Sequence, residues 1–263
     1  MRRVGNTVAV LAALVALALP FPATAQRART NPEVAQAIEQ LGGTDAAQVR
    51  GAIESLGLLG DAAAVEPLST RIRRGLPPEL LDAAVDALMV LGRPEAGPVL
   101  FELTSHRRPE VRVRAIQAIG ATRPRGADRV LVQALGDGDA NVRAAAATAL
   151  GELGASSAAD ALFQALDRRL PEAAVALGRV ARPAEVTRFL GYLGRLPFDL
   201  VTPALREMLQ RSELAERSRL EIVQRLAELA TPEVASFLGQ VASGLPAGNI
   251  RRAAEDAVGR IGR

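Results

Sequence analysis

The 263-residue sequence has no cysteine, no tryptophan and no lysine, and it has one histidine (His106) and one tyrosine. Each absence excludes something. Without cysteine there is no disulfide framework and no thiolate metal site, and one histidine cannot build an imidazole metal centre within the chain. No metal and no cofactor is expected. Aromatics make up only 3%, while alanine and leucine dominate. That mixture packs helices closely and suits a β-sandwich poorly, because strands favour β-branched and aromatic residues. Arginine supplies all 32 basic residues, against 29 acidic ones, and a GC-rich coding sequence accounts for its exclusive use. With charge this balanced, nucleic acid is not an expected partner. Apolar residues at 49% and charged residues at 23% describe a folded chain.

Long apolar runs are missing too, except at the start. Arg2 and Arg3 precede the apolar stretch 8–19, then Pro20-Phe21-Pro22 and Ala23-Thr24-Ala25. This is the order of a cleavable secretory signal. Twelve apolar residues make a helix of only ~18 Å, against a bilayer core of ~30 Å. The expected organisation is a signal peptide at 1–25 and one domain at 26–263, in the periplasm or secreted. Losing Arg2 and Arg3 from the 32 leaves 30 basic residues against 29 acidic, a net charge of +1.

What the sequence does have is a period. The unit 139–154, small and apolar residues at helical spacing ending in Gly154, recurs at 48–60, 80–92, 111–123, 169–181, 218–230 and 250–262. Anchored at Gly151, the copies fall at 57, 89, 120, 151, 178, 227 and 259, in steps of 32, 31, 31, 27, 49 and 32 residues. A second ladder is interleaved, with Pro67, Pro98, Arg129 and Asp160 each 31 apart. Two ladders with one period describe a stack of helical hairpins, each made of a first and a second helix. Later second helices are expected near Ala184 and Glu233, and a lone helix at 31–41 at the front. Pro-Glu pairs mark helix starts, since proline suits the first helical position and glutamate complements the dipole. Gly60, Gly92, Gly154 and Gly262 mark helix ends. Gly57, Gly120, Gly151, Gly178 and Gly259 lie inside helices, where glycine costs ~1 kcal/mol, so they predict close approach of a neighbouring helix. The 49-residue step holds an extra helix near 199–211, whose Val201-Thr202-Pro203-Ala204-Leu205 reads as a second-helix start. The register over about 168–230 is irregular.

The residues Asp139, Val142, Arg143, Ala146, Leu150, Gly151, Leu153 and Gly154, followed by 158–166, resemble the HEAT-repeat family in its short PBS-lyase HEAT-like form. The resemblance covers 31–263 and implies an all-α fold, a right-handed α-α superhelix of stacked helical hairpins. It also implies that second helices line the concave side, and that the arginine at Arg143, with Arg112 as an equivalent, pairs with an acidic residue such as Asp139 to link hairpins. Some proteins of this kind are lyases that attach bilin chromophores; others are iron-dependent hydroxylases, for which the histidines are lacking here.

Catalysis finds little to work with, and no enzyme activity is expected. His106 has Ser105 beside it but no motif that would make the pair a nucleophile and base. The expected function is a binding scaffold for a protein or peptide. The face nominated for it is the second-helix row Arg71, Glu102, Arg129, Gln133, Asp160 and Gln164, polar and different in each repeat. Two alternatives stand beside it: a bilin-lyase-like enzyme, and a polyanion-binding protein using an arginine ridge at Arg73-Arg74, Arg107-Arg108 and Arg168-Arg169.

Overall fold

Short polar residues and prolines set the helix starts. Asn31 Oδ1 accepts from Glu33 N at 3.1 Å, and Asp45 Oδ1 accepts from Ala47 N and Gln48 N at 2.9 Å. Proline opens six of the helices that follow a turn, at 32, 78, 109, 171, 183 and 232. Gly60, Gly92 and Gly154 end helices in the left-handed region, at φ of 62–68°; Gly262 does not, with φ −82°. Arg123 and Ala230 take the same left-handed position without glycine's freedom, at φ 50° and 48°.

The structure, a computed structural model, describes residues 31–262, so the expected leader lies outside it. Among the described residues there are fifteen α-helices and no strands. They are α1 (Pro32–Leu41), α2 (Ala46–Leu59), α3 (Val65–Arg74), α4 (Pro78–Leu91), α5 (Gly97–Leu103), α6 (Pro109–Thr122), α7 (Ala127–Ala134), α8 (Ala140–Leu153), α9 (Ala159–Asp167) and α10 (Pro171–Val180). Then come α11 (Pro183–Leu190), α12 (Phe198–Gln210), α13 (Glu216–Leu229), α14 (Pro232–Gly244) and α15 (Asn249–Ile261). No helix among them is long and apolar enough to cross a membrane. The architecture is an all-α solenoid: α2, α4, α6, α8 and α10 are first helices, and α3, α5, α7, α9 and α11 are second helices.

The core is built from the same repeat position in each copy. Leu56, Leu88, Ile119, Leu150 and Leu177, each one residue before a ladder position, have no exposed surface. Burying such a side chain contributes ~1.5–3 kcal/mol. Next to them the glycines do what their cost implied. A Cβ on Gly57 would lie 3.2 Å from Ala87 Cα, one on Gly151 3.0 Å from Ala176 Cα, and one on Gly178 2.9 Å from Ala204 Cα. Gly259 is the exception: nothing lies within 4 Å of its would-be Cβ, as α15 is the last of the described helices.

This glycine–alanine contact draws successive first helices together along their lengths, whereas successive second helices touch each other sparingly. A stack that is tight on one side and splayed on the other curves toward the tight side. The inner side is therefore the first-helix row, and the expectation that second helices line the concavity is reversed. The short second helices, seven to ten residues against fourteen in α2, α4, α6 and α8, also lack the length for such packing.

The extra helix takes a different place from the one the sequence suggested. Its Val201–Leu205 stretch reads as a second-helix start, yet α12 packs on α10 as the next member of the first-helix row, with Ala204 against Gly178. Leu205, 28 residues after Leu177, is fully buried like the other ladder leucines. The helix that follows, α13, lies against α11: Thr187 Oγ1 donates to Glu221 Oε1 at 2.9 Å. Beyond it α14 follows α12, through an edge-on contact of Phe198 with Phe237 and an Arg206–Gln240 hydrogen bond of 3.3 Å. One helix inserted alone has exchanged the rows. Thus α13 and α15, which repeat the first-helix sequence, stack on the side that second helices occupied before.

Candidate functional site

The nominated second-helix row is partly used up in holding the stack together. Arg71 is half-buried and donates from Nε to Leu41 O at 3.2 Å and from Nη1 to Gly75 O at 2.9 Å. These carbonyls lie at the ends of α1 and α3, where helices leave acceptors without partners. Glu102 is held by Arg73 at 3.1 Å. Asp160 pairs with Arg188 at 2.6 Å, and that guanidinium lies 4.0 Å above the Phe163 ring. Arg129, Gln133 and Gln164 are exposed and make no side-chain hydrogen bond among the described residues.

The arginine ladder is also differently made. Arg112 donates from Nε and Nη2 to the two carboxylate oxygens of Asp137 at 2.9 and 2.6 Å, and from Nη1 to His106 O at 3.0 Å. This fork ties α6 to the turn before α8. Donation from Arg112 holds the Asp137 carboxyl below the usual carboxylate range, against the opposing effect of its own burial. Arg143 and Asp139, expected to pair, do not. Asp139 caps α8 by accepting from Asn141 N and Val142 N at 2.8 and 3.2 Å. Arg143 Nη1 instead donates to Asp137 O and Gly138 O, at 2.8 and 2.9 Å. Capping commits Asp139 to its own backbone, so the linking carboxylate is the one two residues earlier. His106 braces the turn before α6: its Nδ1 accepts from Arg108 N at 3.1 Å.

The ridge of paired arginines is interrupted twice. Arg73 is bound to Glu102, and Arg108 reaches Asp82 at 3.5 Å.

The concave face carries what sequence reasoning missed. An open groove of about 900 Å³ runs across five consecutive first-row helices. Its floor is the glycine–alanine seam, with Gly120, Ala149 and Gly151; its sides include Met89, Gln117, Thr148, Glu152, Arg179 and Glu207. Arg179 faces Glu207 at 3.7 Å. At one end Arg211 donates from Nη1 to Gly178 O and Ala181 O at 3.0 and 2.9 Å, and burial pushes its guanidinium below the ordinary arginine value. Beyond the other end, on the same row of helices, a separate hollow of about 500 Å³ lies between α2 and α4. There Leu58 and Val90 stand 84% and 65% exposed, the large apolar residues most open to solvent in the described chain. Glu54, Glu79, Asp82 and Asp86 surround them, with Arg50 3.5 Å from Glu79 and Arg114 2.6 Å from Asp86. The hollow thus has an apolar centre and a charge-paired rim. One signal was available in the sequence: Leu58 and Val90 each follow the ladder position by one residue, on the face opposite the buried leucines.

Comparison with known proteins agrees with the repeat architecture. Residues 97–178 match the family model described as HEAT repeats. No curated protein matches the chain. Among solved structures, the complex of CpcE and CpcF of phycocyanin lyase from Nostoc sp. PCC7120 is similar at 20% identity and a TM-score of 0.48, over 92% of this chain and 98% of that one. A designed armadillo repeat protein is similar at 15% identity and a TM-score of 0.43, over 87% and 100%. Another, in complex with the peptide (KR)4, shows 17% identity and a TM-score of 0.45, over 86% and 99%.

Proposed function

We propose that this HEAT-repeat solenoid is an exported scaffold that holds a protein or peptide along the groove of its first helices. The observation that carries the reading is that the groove and the exposed Leu58 and Val90 lie on the same row of first helices, meeting at Met89 and Val90 of α4. Contiguous exposed apolar surface with a polar rim marks interaction sites on soluble proteins. Neighbouring helices pack ~8–10 Å apart, so five of them span ~32–40 Å, the length of about nine to twelve residues of extended chain. Thr148, Gln117 and Glu152 along the way offer hydrogen bonds to a backbone lying there. The export half of the proposal rests on the order of residues 1–26 in the sequence.

Photocrosslinking amino acids placed singly at Leu58 and Thr148, and at Gln133 and Gln164 on the second-helix row, test the face in the native envelope. Capture from the first pair alone supports the groove. Capture from the second pair alone moves the binding site to the other face and refutes it. Mass spectrometry of the same material should find a chain beginning near Gln26, whereas an intact Met1 in the cytoplasm would refute export.

A further inference from the structure

The repeats let one site be compared with another. Arg112 and Arg143 occupy the same position 31 residues apart, the fourth residue of α6 and of α8. Their inner contacts are the same. Arg112 Nη1 donates to the carbonyls six and five residues before it, at 3.0 and 3.5 Å, and Arg143 Nη1 does so at 2.8 and 2.9 Å. Their outer contacts differ. Arg112 presents Nε and Nη2 to the Asp137 carboxylate, 25 residues on. The residue 25 after Arg143 is Arg168, and no acceptor among the described residues lies within hydrogen-bond distance of Arg143 Nε or Nη2. At that place the structure has a cleft of about 560 Å³, lined by Arg143, Arg168 and Arg169 together with Asn141, Glu172 and Asp137, whose carboxylate is already taken by Arg112. Neither Arg168 nor Arg169 makes an ion pair within 4.0 Å among the described residues. Arg169 takes φ 62° where it closes the C-terminus of α9, its N donating to Leu166 O at 2.8 Å and Leu170 N to Ala165 O at 3.1 Å, and this turn sets Arg168 and Arg169 beside the cleft.

We infer that Arg143, Arg168 and Arg169 form a binding site for a carboxylate, which takes on Arg143 the place that Asp137 takes on Arg112. The guanidinium fork matches a carboxylate through two parallel hydrogen bonds. Arg168 and Arg169 add the positive charge that an internal aspartate does not need but a ligand from solution does. Glu172 stands at the start of α10, where its charge faces a helix N-terminus and is partly offset by it. This site lies at the turns of α8 and α10, apart from the seam of the groove, and it holds whether or not the groove binds a peptide.

The test uses the purified protein, with acetate as probe and inorganic phosphate in a parallel arm, both against chloride at constant ionic strength. The Nε–Hε resonances of the arginines are followed by NMR. Acetate is expected to shift the Arg143 resonance saturably, with a Kd in the range of about 1–10 mM, while the resonance of Arg112 stays still. Arg168→Ala and Arg169→Ala should each weaken that binding about fivefold or more. Arg168→Asp supplies a carboxylate from the chain itself; it should abolish acetate saturation and move the Arg143 resonance toward that of Arg112. A shift of Arg143 that is linear in acetate and no larger than that of exposed Arg195 overturns the site. Saturation by phosphate without saturation by acetate overturns the assignment of its ligand as a carboxylate.

Discussion

Replacing each seam glycine by alanine gives a graded test of the packing, because two opposing terms can be set against each other at every position. Alanine is favoured over glycine inside a helix by up to ~1 kcal/mol. Overpacking a tight contact costs ~1–3 kcal/mol. At Gly259 the added methyl meets nothing within 4 Å, so only the first term acts and the variant should gain about 0.5–1 kcal/mol. At Gly120 it would lie 3.4 Å from Ala149 Cβ, an ordinary contact, and a smaller gain should remain. At Gly57 it meets Ala87 Cα and Cβ at 3.2 Å, and the terms should nearly cancel. At Gly151 the distance falls to 3.0 Å from Ala176 Cα, and a net loss should appear. At Gly178 it would meet Ala204 O, Ala204 Cα and Glu207 Cβ at 2.8–2.9 Å. Two of these are backbone atoms that cannot swing aside, so the net loss should reach about 1–2 kcal/mol. Urea midpoints from far-UV circular dichroism, taken with the same transition in every variant because repeat arrays can unfold in sections, will rank the five. The reasoning fails if Gly178→Ala is as stable as Gly259→Ala, or if the order bears no relation to the distances.

Three further outcomes are expected. Asp137→Asn removes a half-buried carboxylate whose folded pKa lies below its ordinary value. Its stabilising effect is full above the unfolded carboxylate pKa of about 4 and is lost as pH falls through the lower folded value. The stability gap between wild type and variant should thus be constant near neutrality and close in acid; a gap independent of pH down to about 2 would show the fork to be silent. Arg71→Ala should cost about 1–2 kcal/mol through the carbonyls it leaves unmatched, whereas Gln133→Ala should stay within ~0.5 kcal/mol, a contrast that chemical denaturation will read directly. Ala230→Gly should stabilise by about 1 kcal/mol, because the left-handed conformation there costs alanine what glycine does not incur; a lower melting temperature would contradict it.

Much of this architecture could be read from the chain before its structure, and the limits have physical causes. Helix starts at Pro32, Pro78, Pro109, Pro171 and Pro232 were legible because proline and first-turn glutamate act locally. Close approach at Gly57, Gly120, Gly151 and Gly178 was legible because an unfavourable residue recurring in register needs a reason. Gly259 carries the same signal with no neighbour, since sequence records the repeat and not where the described stack ends. The inner face was not legible. Which row is inner depends on how far each hairpin rotates against the last, a sum of small displacements at contacts such as Gly151 with Ala176. The polar row from Arg71 to Gln164 varies between repeats for a nearer reason too, as Arg71, Glu102 and Asp160 each answer a different local need. Leu58 and Val90 escaped notice because two apolar residues in a leucine-rich helix look like core until their burial is known.

The lone helix α12 acts on this array as a single-base insertion acts on a reading frame. Helices are read in twos, and adding or removing a whole hairpin anywhere leaves every later helix in phase. One helix alone shifts the phase of all that follows, so that α13 and α15 are spelled as first helices but translated into the second row. The inner face consequently changes sides near residue 210, and the groove that begins at α4 ends there. Deleting the segment that holds α12 would restore the frame and join the two tight rows into one longer surface.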